Sequence, residues 1–168
     1  MMRNFAAKIL ITAMVKKQSA GIILYKIEDN ELMIFLVHPG GPFWQKKDKG
    51  SWSIPKGEFS NDENPLEAAK REFTEETGYI ISGNFIELTP IKQKAGKVVY
   101  AWALEKNIDA ENIKSNTFTI EWPPKSNKMV TCSEVDKAGW FTVSEAKIKI
   151  NPAQALLIDE LATKLKII

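Results

Sequence analysis

Residues 64–78 spell a helix with both ends marked, NPLEAAKREFTEETG. Asn64 is a strong N-cap, Pro65 suits a first helical position where no N–H is needed, and Glu67 completes an N-x-x-E capping box. Gly78 supplies the left-handed residue that stops the helix. The spacing predicts a helix over about residues 65–77, roughly three and a half turns. At 100° per residue Leu66, Ala69, Phe73 and Thr77 fall on one side, the expected core face.

The sequence around this helix is strand-like. SAGIILYKI, a polar EDNE turn and LMIFLVH read as a hairpin beginning near Gln18. The loop PGGPFWQKKDKGS follows, too long for a simple connection, and long loops in compact domains are often functional. After the short apolar run WSIP and the helix, YIISGNFIELTPIKQ and KVVYAWALE read as strands joined by a KAGK turn. A polar excursion broken by Pro123 and Pro124 contains one expected strand near residues 117–122, and EVDKAGWFTV gives a last short strand. A final helix is expected over residues 152–165, capped by Asn151, docking through Ala155, Leu156, Ile158, Leu161 and Leu165. Strands with two main helices make the chain α+β.

With 168 residues and 44 % apolar composition the chain fits one domain. Its division is expected as an N-terminal extension over residues 1–17 and a single domain over 18–168, with Met1 or Met14 as the start. The run from Ile9 to Val15 is too short to span a bilayer, so no membrane partner is expected. A net charge of +2, from 23 basic and 21 acidic residues, carries no signature of a DNA-binding surface, and no DNA partner is expected. One cysteine, Cys132, and one histidine, His38, exclude an internal disulfide framework and a Cys/His zinc site. The natural setting is a reducing cytoplasm. A homodimer is left open.

Chemistry is therefore local. Glu72, Glu75 and Glu76 stand at i, i+3 and i+4 and share an arc of roughly 100° away from the core face. Three like charges repel there, and the C-terminal half of a helix is the wrong end of the macrodipole for anions. A solvated charged face is one explanation. A hard divalent cation is the other, because Mg²⁺ takes carboxylate oxygens and commonly shares its shell with substrate phosphates.

The stretch from residue 57 to 79 resembles the signature of the Nudix hydrolases, G-x5-E-x7-R-E-U-x-E-E-x-G-U with U bulky and apolar. Here it reads Gly57, Glu63, Arg71, Glu72, Phe73, Glu75, Glu76, Gly78 and Tyr79, with aromatic residues at both U positions. The resemblance implies an α/β/α sandwich around a mixed sheet and hydrolysis of a diphosphate linked to some group X. It implies Mg²⁺ or Mn²⁺ held by Glu72, Glu75 and Glu76 with the carbonyl of Gly57. It also implies that Arg71 pairs with Glu63 and orients the ligands. The metal would cancel phosphate charge, align the diphosphate and acidify a water, while Glu72, Glu76 or a downstream acid takes the proton.

Glu134 occupies the place where several such enzymes bring a further glutamate to the metals, and Glu121 is a second candidate. Lys46, Lys47 and Lys49 lead toward Lys56, and a basic loop beside a phosphate site would attract a polyanion. WSIPKGE is similar to the lead-in of relatives that cleave dinucleoside polyphosphates. Of the tryptophans that could stack on a base, Trp44 in the loop is favoured over Trp122, and Trp52 is assigned to the core. His38 reads as structural. The expected substrate is a nucleotide or polyphosphate small molecule, foremost a dinucleoside polyphosphate or nucleoside triphosphate. A 5′-triphosphate RNA end and a non-hydrolysing nucleotide sensor are the alternatives.

Overall fold

In the computed structural model, which describes residues 17–167, the chain runs β1 (Gln18–Glu28), β2 (Glu31–Pro39), β3 (Lys56–Glu58), α1 (Pro65–Thr77), β4 (Ile86–Glu87) and β5 (Ile91–Lys92). It continues through β6 (Val98–Glu105), β7 (Thr117–Glu121), β8 (Met129–Ser133), β9 (Val135–Thr142), α2 (Val143–Lys149) and α3 (Ala155–Lys164). The expected extension, apart from residue 17, lies outside the described residues.

The β1–β2 hairpin closes on Asp29 and Asn30, with φ of 52° and 63°. Asp and Asn tolerate this left-handed pair, which matches the twist of the flanking strands. The seven-stranded sheet has the order β4-β6-β1-β2-β9, with β3 added to β1 and β5 to β6. It is mixed, because β1 runs parallel to β6 and antiparallel to β2 and β3.

The uninterrupted apolar run in β1 is explained by burial of both sheet faces. Ile22 and Leu24 face a core containing Ala68, Ala69 and Phe73 of α1. Ile23 and Tyr25 face the opposite core, containing Ala146, Leu157, Ile158 and Leu161 of α2 and α3. Strand alternation thus sends successive residues into two cores. The result is the expected α/β/α sandwich.

Several details differ from the sequence reading, the unexpected strand β8 among them. The strand expected across residues 79–93 shrinks to β4 and β5. Between them the N–H of Thr89 donates to the Glu160 carboxylate at 2.9 Å and Pro90 has no N–H to give. The helix α2 was not expected, although Thr142 and Glu145 form a complete capping box at its start. The last helix opens with a 3-10 turn over Pro152–Gln154, and in the α-helix that follows Leu157, one and four residues before Ile158 and Leu161, shares their buried face, whereas Leu156, expected on that stripe, is exposed. Among the described residues no helix is long and apolar enough to cross a membrane.

Candidate active site

The helix α1 begins and ends where its sequence marks, although only the Asn64 half of the expected capping box forms and the Glu67 carboxylate accepts from Lys70 Nζ instead. Asn64 Oδ1 accepts from the Glu67 N–H at 3.1 Å, and Gly78 adopts φ 80° while its N–H donates to Thr74 O at 2.8 Å. Phe73 is fully buried against Phe35, with ring centroids 6.1 Å apart. Glu72 departs from the expected arc away from the core. Lying one turn beyond buried Ala68, it is itself buried. Gly57 of β3 packs so closely on its carboxylate that a Cβ there would overlap the carboxylate atoms. One turn further, Glu76 Oε2 accepts from the Lys56 N–H at 3.3 Å. The WSIPKG run therefore delivers Lys56 and Gly57 onto the glutamate ridge.

Arg71 ties the other carboxylates together. Its Nε and Nη2 donate to the two oxygens of Glu63 at 2.8 and 3.0 Å, a bidentate pair. Its Nη1 donates to Glu72 Oε1 at 2.8 Å and Glu75 Oε1 at 3.1 Å. The hydrogen bond from Arg71 holds the Glu63 carboxyl below its ordinary range. This single cation does not balance the ridge. Burial, and then the charge of Glu72, push the Glu76 carboxyl up to about 8. Burial and the charge of Glu75 push Glu72 up despite Arg71. Glu134 is raised by burial and by Glu75, so the downstream acid shares the same field.

One buried and two half-buried carboxylates with unbalanced negative charge, backed by a glycine that admits close approach, are a donor set suited to Mg²⁺ or Mn²⁺. Among the described residues no three acidic, histidine or cysteine side chains already converge on one point. Glu72 and Glu75 are instead turned toward Arg71 Nη1, so ion binding requires rotation of side chains within the ridge.

Glu134 sits at the bend between β8 and β9, with its N–H donating to Asn116 O at 2.8 Å and its carbonyl accepting from Gly40 N–H at 2.9 Å. Glu121 pairs with Met129 at the other end of the β7–β8 hairpin and does not join the ridge. Lys56 is half-buried beside Glu72 and Glu76, and desolvation, then Lys97, lower its pKa. Lys46 and Lys47 are exposed in the loop. Lys47 Nζ lies 3.5 Å over the Phe43 ring, and Trp44 meets Phe43 edge-on at 5.0 Å. Trp52 is buried and donates to Asp48 Oδ1 at 2.7 Å. His38 is structural in its contacts: fully buried, its Nε2 donates to Lys47 O at 2.6 Å and its Nδ1 lies 2.8 Å from Asp136 Oδ1.

Two glycines that the sequence reading passed over help shape this region. A Cβ on Gly40 would run into the Ser133 carbonyl, and Gly41, at φ 96°, lies beneath the Phe118 ring. The available signal was the Pro-Gly-Gly run directly after a strand.

The family model of the NUDIX domain matches residues 15–161. The mRNA-decapping enzyme subunit 2 of Arabidopsis thaliana is 32 % identical over 92 residues, covering 48 % of this chain and 25 % of that protein. The chain thus spans a quarter of that curated relative's length. A C. elegans Ap4A hydrolase binary complex matches with a TM-score of 0.62 at 18 % identity, covering 89 % of this chain and 98 % of that one. The NUDIX domain of Shewanella oneidensis NrtR complexed with ADP ribose matches with a TM-score of 0.64 at 17 % identity, covering 95 % and 97 %. At these identities the likeness to the solved structures is one of fold.

Proposed function

The chain belongs to the NUDIX domain family, and from that premise we propose that it is a pyrophosphohydrolase, dependent on Mg²⁺ or Mn²⁺, that cleaves a phosphoric anhydride in a nucleotide substrate. The observation that carries this reading is the shared field of Glu72, Glu75, Glu76 and Glu134 beside Gly57, with Arg71 bonded into it. Glu72, Glu75, Glu76 and Glu134, together with the Gly57 carbonyl, would hold the ion. When bound, it neutralises phosphate oxygens and makes a water more acidic.

The chain's own residues do the rest. Arg71, anchored on Glu63, orients Glu72 and Glu75. Lys56 sets a positive charge at the edge of the ridge, where a phosphate would arrive. The proton of the attacking water passes to one of Glu72, Glu76 and Glu134. A dinucleoside polyphosphate or nucleoside triphosphate is the leading substrate, supported by the WSIPKGE lead-in and by the fold shared with an Ap4A hydrolase. Removal of phosphate groups from an RNA 5′ end is the second reading, favoured by the identity to a decapping subunit. The lone Cys132 supports a cytoplasmic setting.

The test is a panel of dinucleoside polyphosphates, nucleoside triphosphates, sugar nucleotides and 5′-capped or triphosphate RNA, with and without Mg²⁺, products resolved by chromatography. Metal-dependent release from at least one nucleotide is expected. Glu75→Gln and Glu76→Gln should each lower turnover at least ~100-fold, in the range of a lost electrostatic group at a reaction centre, while thermal unfolding remains cooperative. Wild-type rates in either purified variant would remove the site assignment.

A further inference from the structure

Beside the acidic ridge, the loop after β2 and the β7–β8 hairpin border an open cleft that the phosphate chemistry leaves unused. The hairpin grows out of the site. Asn116 N–H donates to the Glu75 carbonyl and Lys114 N–H to that of Thr77, both at 2.8 Å, so the strand leading into β7 is fastened to the last turn of α1. Where β8 ends, Glu134 binds Asn116 through its N–H and Gly40 through its carbonyl. Gly40 and Gly41 let the loop close on the hairpin at Ser133 and Phe118.

This open cleft has a volume of about 340 Å³. Cys132 and Asp136, on its wall, stand two residues either side of Glu134, so the near end of the cleft lies within about 7 Å of the Glu134 backbone along the chain. Pro42, Val130 and the half-buried indole of Trp122 make it apolar, and Gln45 and Asp136 supply the polar groups. Asp136 Oδ1 is taken by His38. Its second oxygen can still accept, and the Gln45 amide can both donate and accept.

A flat ring with apolar faces and a hydrogen-bonding edge fits this lining; a polyphosphate chain does not. Trp44, the residue favoured from sequence, is engaged edge-on with Phe43, whereas Trp122 lines the cleft. We propose that the cleft is the nucleobase subsite of this enzyme, in which the base of the substrate nucleotide stacks on Trp122 while Gln45 and Asp136 meet its amino-bearing edge. The proposal rests on the hydrolase reading, since it assigns the group X of the substrate whose anhydride lies on the ridge.

Binding to the full chain in Mg²⁺ is measured by calorimetry with methylene-bridged adenosine and guanosine triphosphate analogues and with inorganic tripolyphosphate, which has no base. Trp122→Ala should weaken the better-bound nucleotide about 10-fold or more, the range of a lost base–aromatic stack, and leave tripolyphosphate unchanged. Trp122→Phe should restore most of the affinity. In turnover, KM for the nucleotide should rise with kcat within about twofold, as expected for loss of binding shared by ground and transition states. Gln45→Ala, on an exposed loop position, should also weaken the nucleotides selectively and decides the matter if Trp122→Ala does not fold. Unchanged nucleotide affinity in these variants, or an equal loss for tripolyphosphate, overturns the subsite while metal-dependent nucleotide cleavage by the wild type keeps the hydrolase reading. If the wild type cleaves no nucleotide, the hydrolase reading fails and the subsite fails with it.

Discussion

At the scale of single residues, the proposed chemistry turns on what Gly57 lacks. The Glu72 carboxylate occupies the space a Cβ would fill, so any side chain at Gly57 displaces a ridge carboxylate or the β3 backbone. Gly57→Ala is expected to lower kcat at least ~100-fold, since misplacing reacting groups by about 1 Å costs that much. Far-ultraviolet circular dichroism should remain that of the wild type; near-normal turnover would contradict the close packing. Arg71 belongs to the same scale. Its ion pairs are partly exposed and add little stability, which fits the proposed role of orienting Glu72 and Glu75. The glutamate spacing was legible because 3.6 residues per turn places i, i+3 and i+4 together whatever surrounds them. The burial of Glu72 was not, because it depends on β3 lying against the helix.

At the scale of elements, the ends of α1 were readable because caps are local contacts. Asn64 reaches three residues ahead, and Gly78 needs only its own φ. Gly78 also abuts the Lys114 backbone, where a Cβ would come within 3.0 Å of the carbonyl oxygen. Gly78→Ala is therefore expected to destabilise the fold by about 1–2 kcal/mol in urea unfolding, from the left-handed backbone and the crowding together. A change within ~0.3 kcal/mol would contradict the close approach to Lys114. By contrast, α2 escaped notice although its capping box is as local as the Asn64 cap of α1. It has seven residues, too few for a full apolar stripe, and it begins where β9 ends. The strand β8 was missed for the opposite reason: MVTCS is largely exposed, so burial leaves no alternation to read, and only pairing with β7 makes it a strand.

At the scale of the whole molecule, the loop after β2 is held by partners far away in sequence. Asp48 accepts from Trp52 Nε1 at 2.7 Å and from Lys149 Nζ at 2.9 Å, and the Lys47 carbonyl accepts from buried His38. The hydrogen bonds from Lys149 and then Trp52 hold the Asp48 carboxyl below its ordinary 3.8. A carboxyl lowered on folding adds stability above its unfolded pKa and loses it as pH falls through the folded value. The stability gap between wild type and Asp48→Asn is thus expected to be present at pH 6 and to close as pH falls below 3.8. Urea unfolding across that range measures it, and a gap that widens toward low pH would refute the linkage. The amino-acid sequence by itself determined the helix and its ends, the spacing of Glu72, Glu75 and Glu76, and the hairpin with its polar EDNE turn, since each follows from periodicity or contacts over a few residues. Only the tertiary structure decided that Gly57 seats Glu72, that Glu134 rather than Glu121 joins the ridge, and that Trp122 rather than Trp44 lines the cleft. Those meetings are set by sheet register and by where the β7–β8 hairpin is pinned, and no short window of sequence carries the through-space distance between residues that many positions separate.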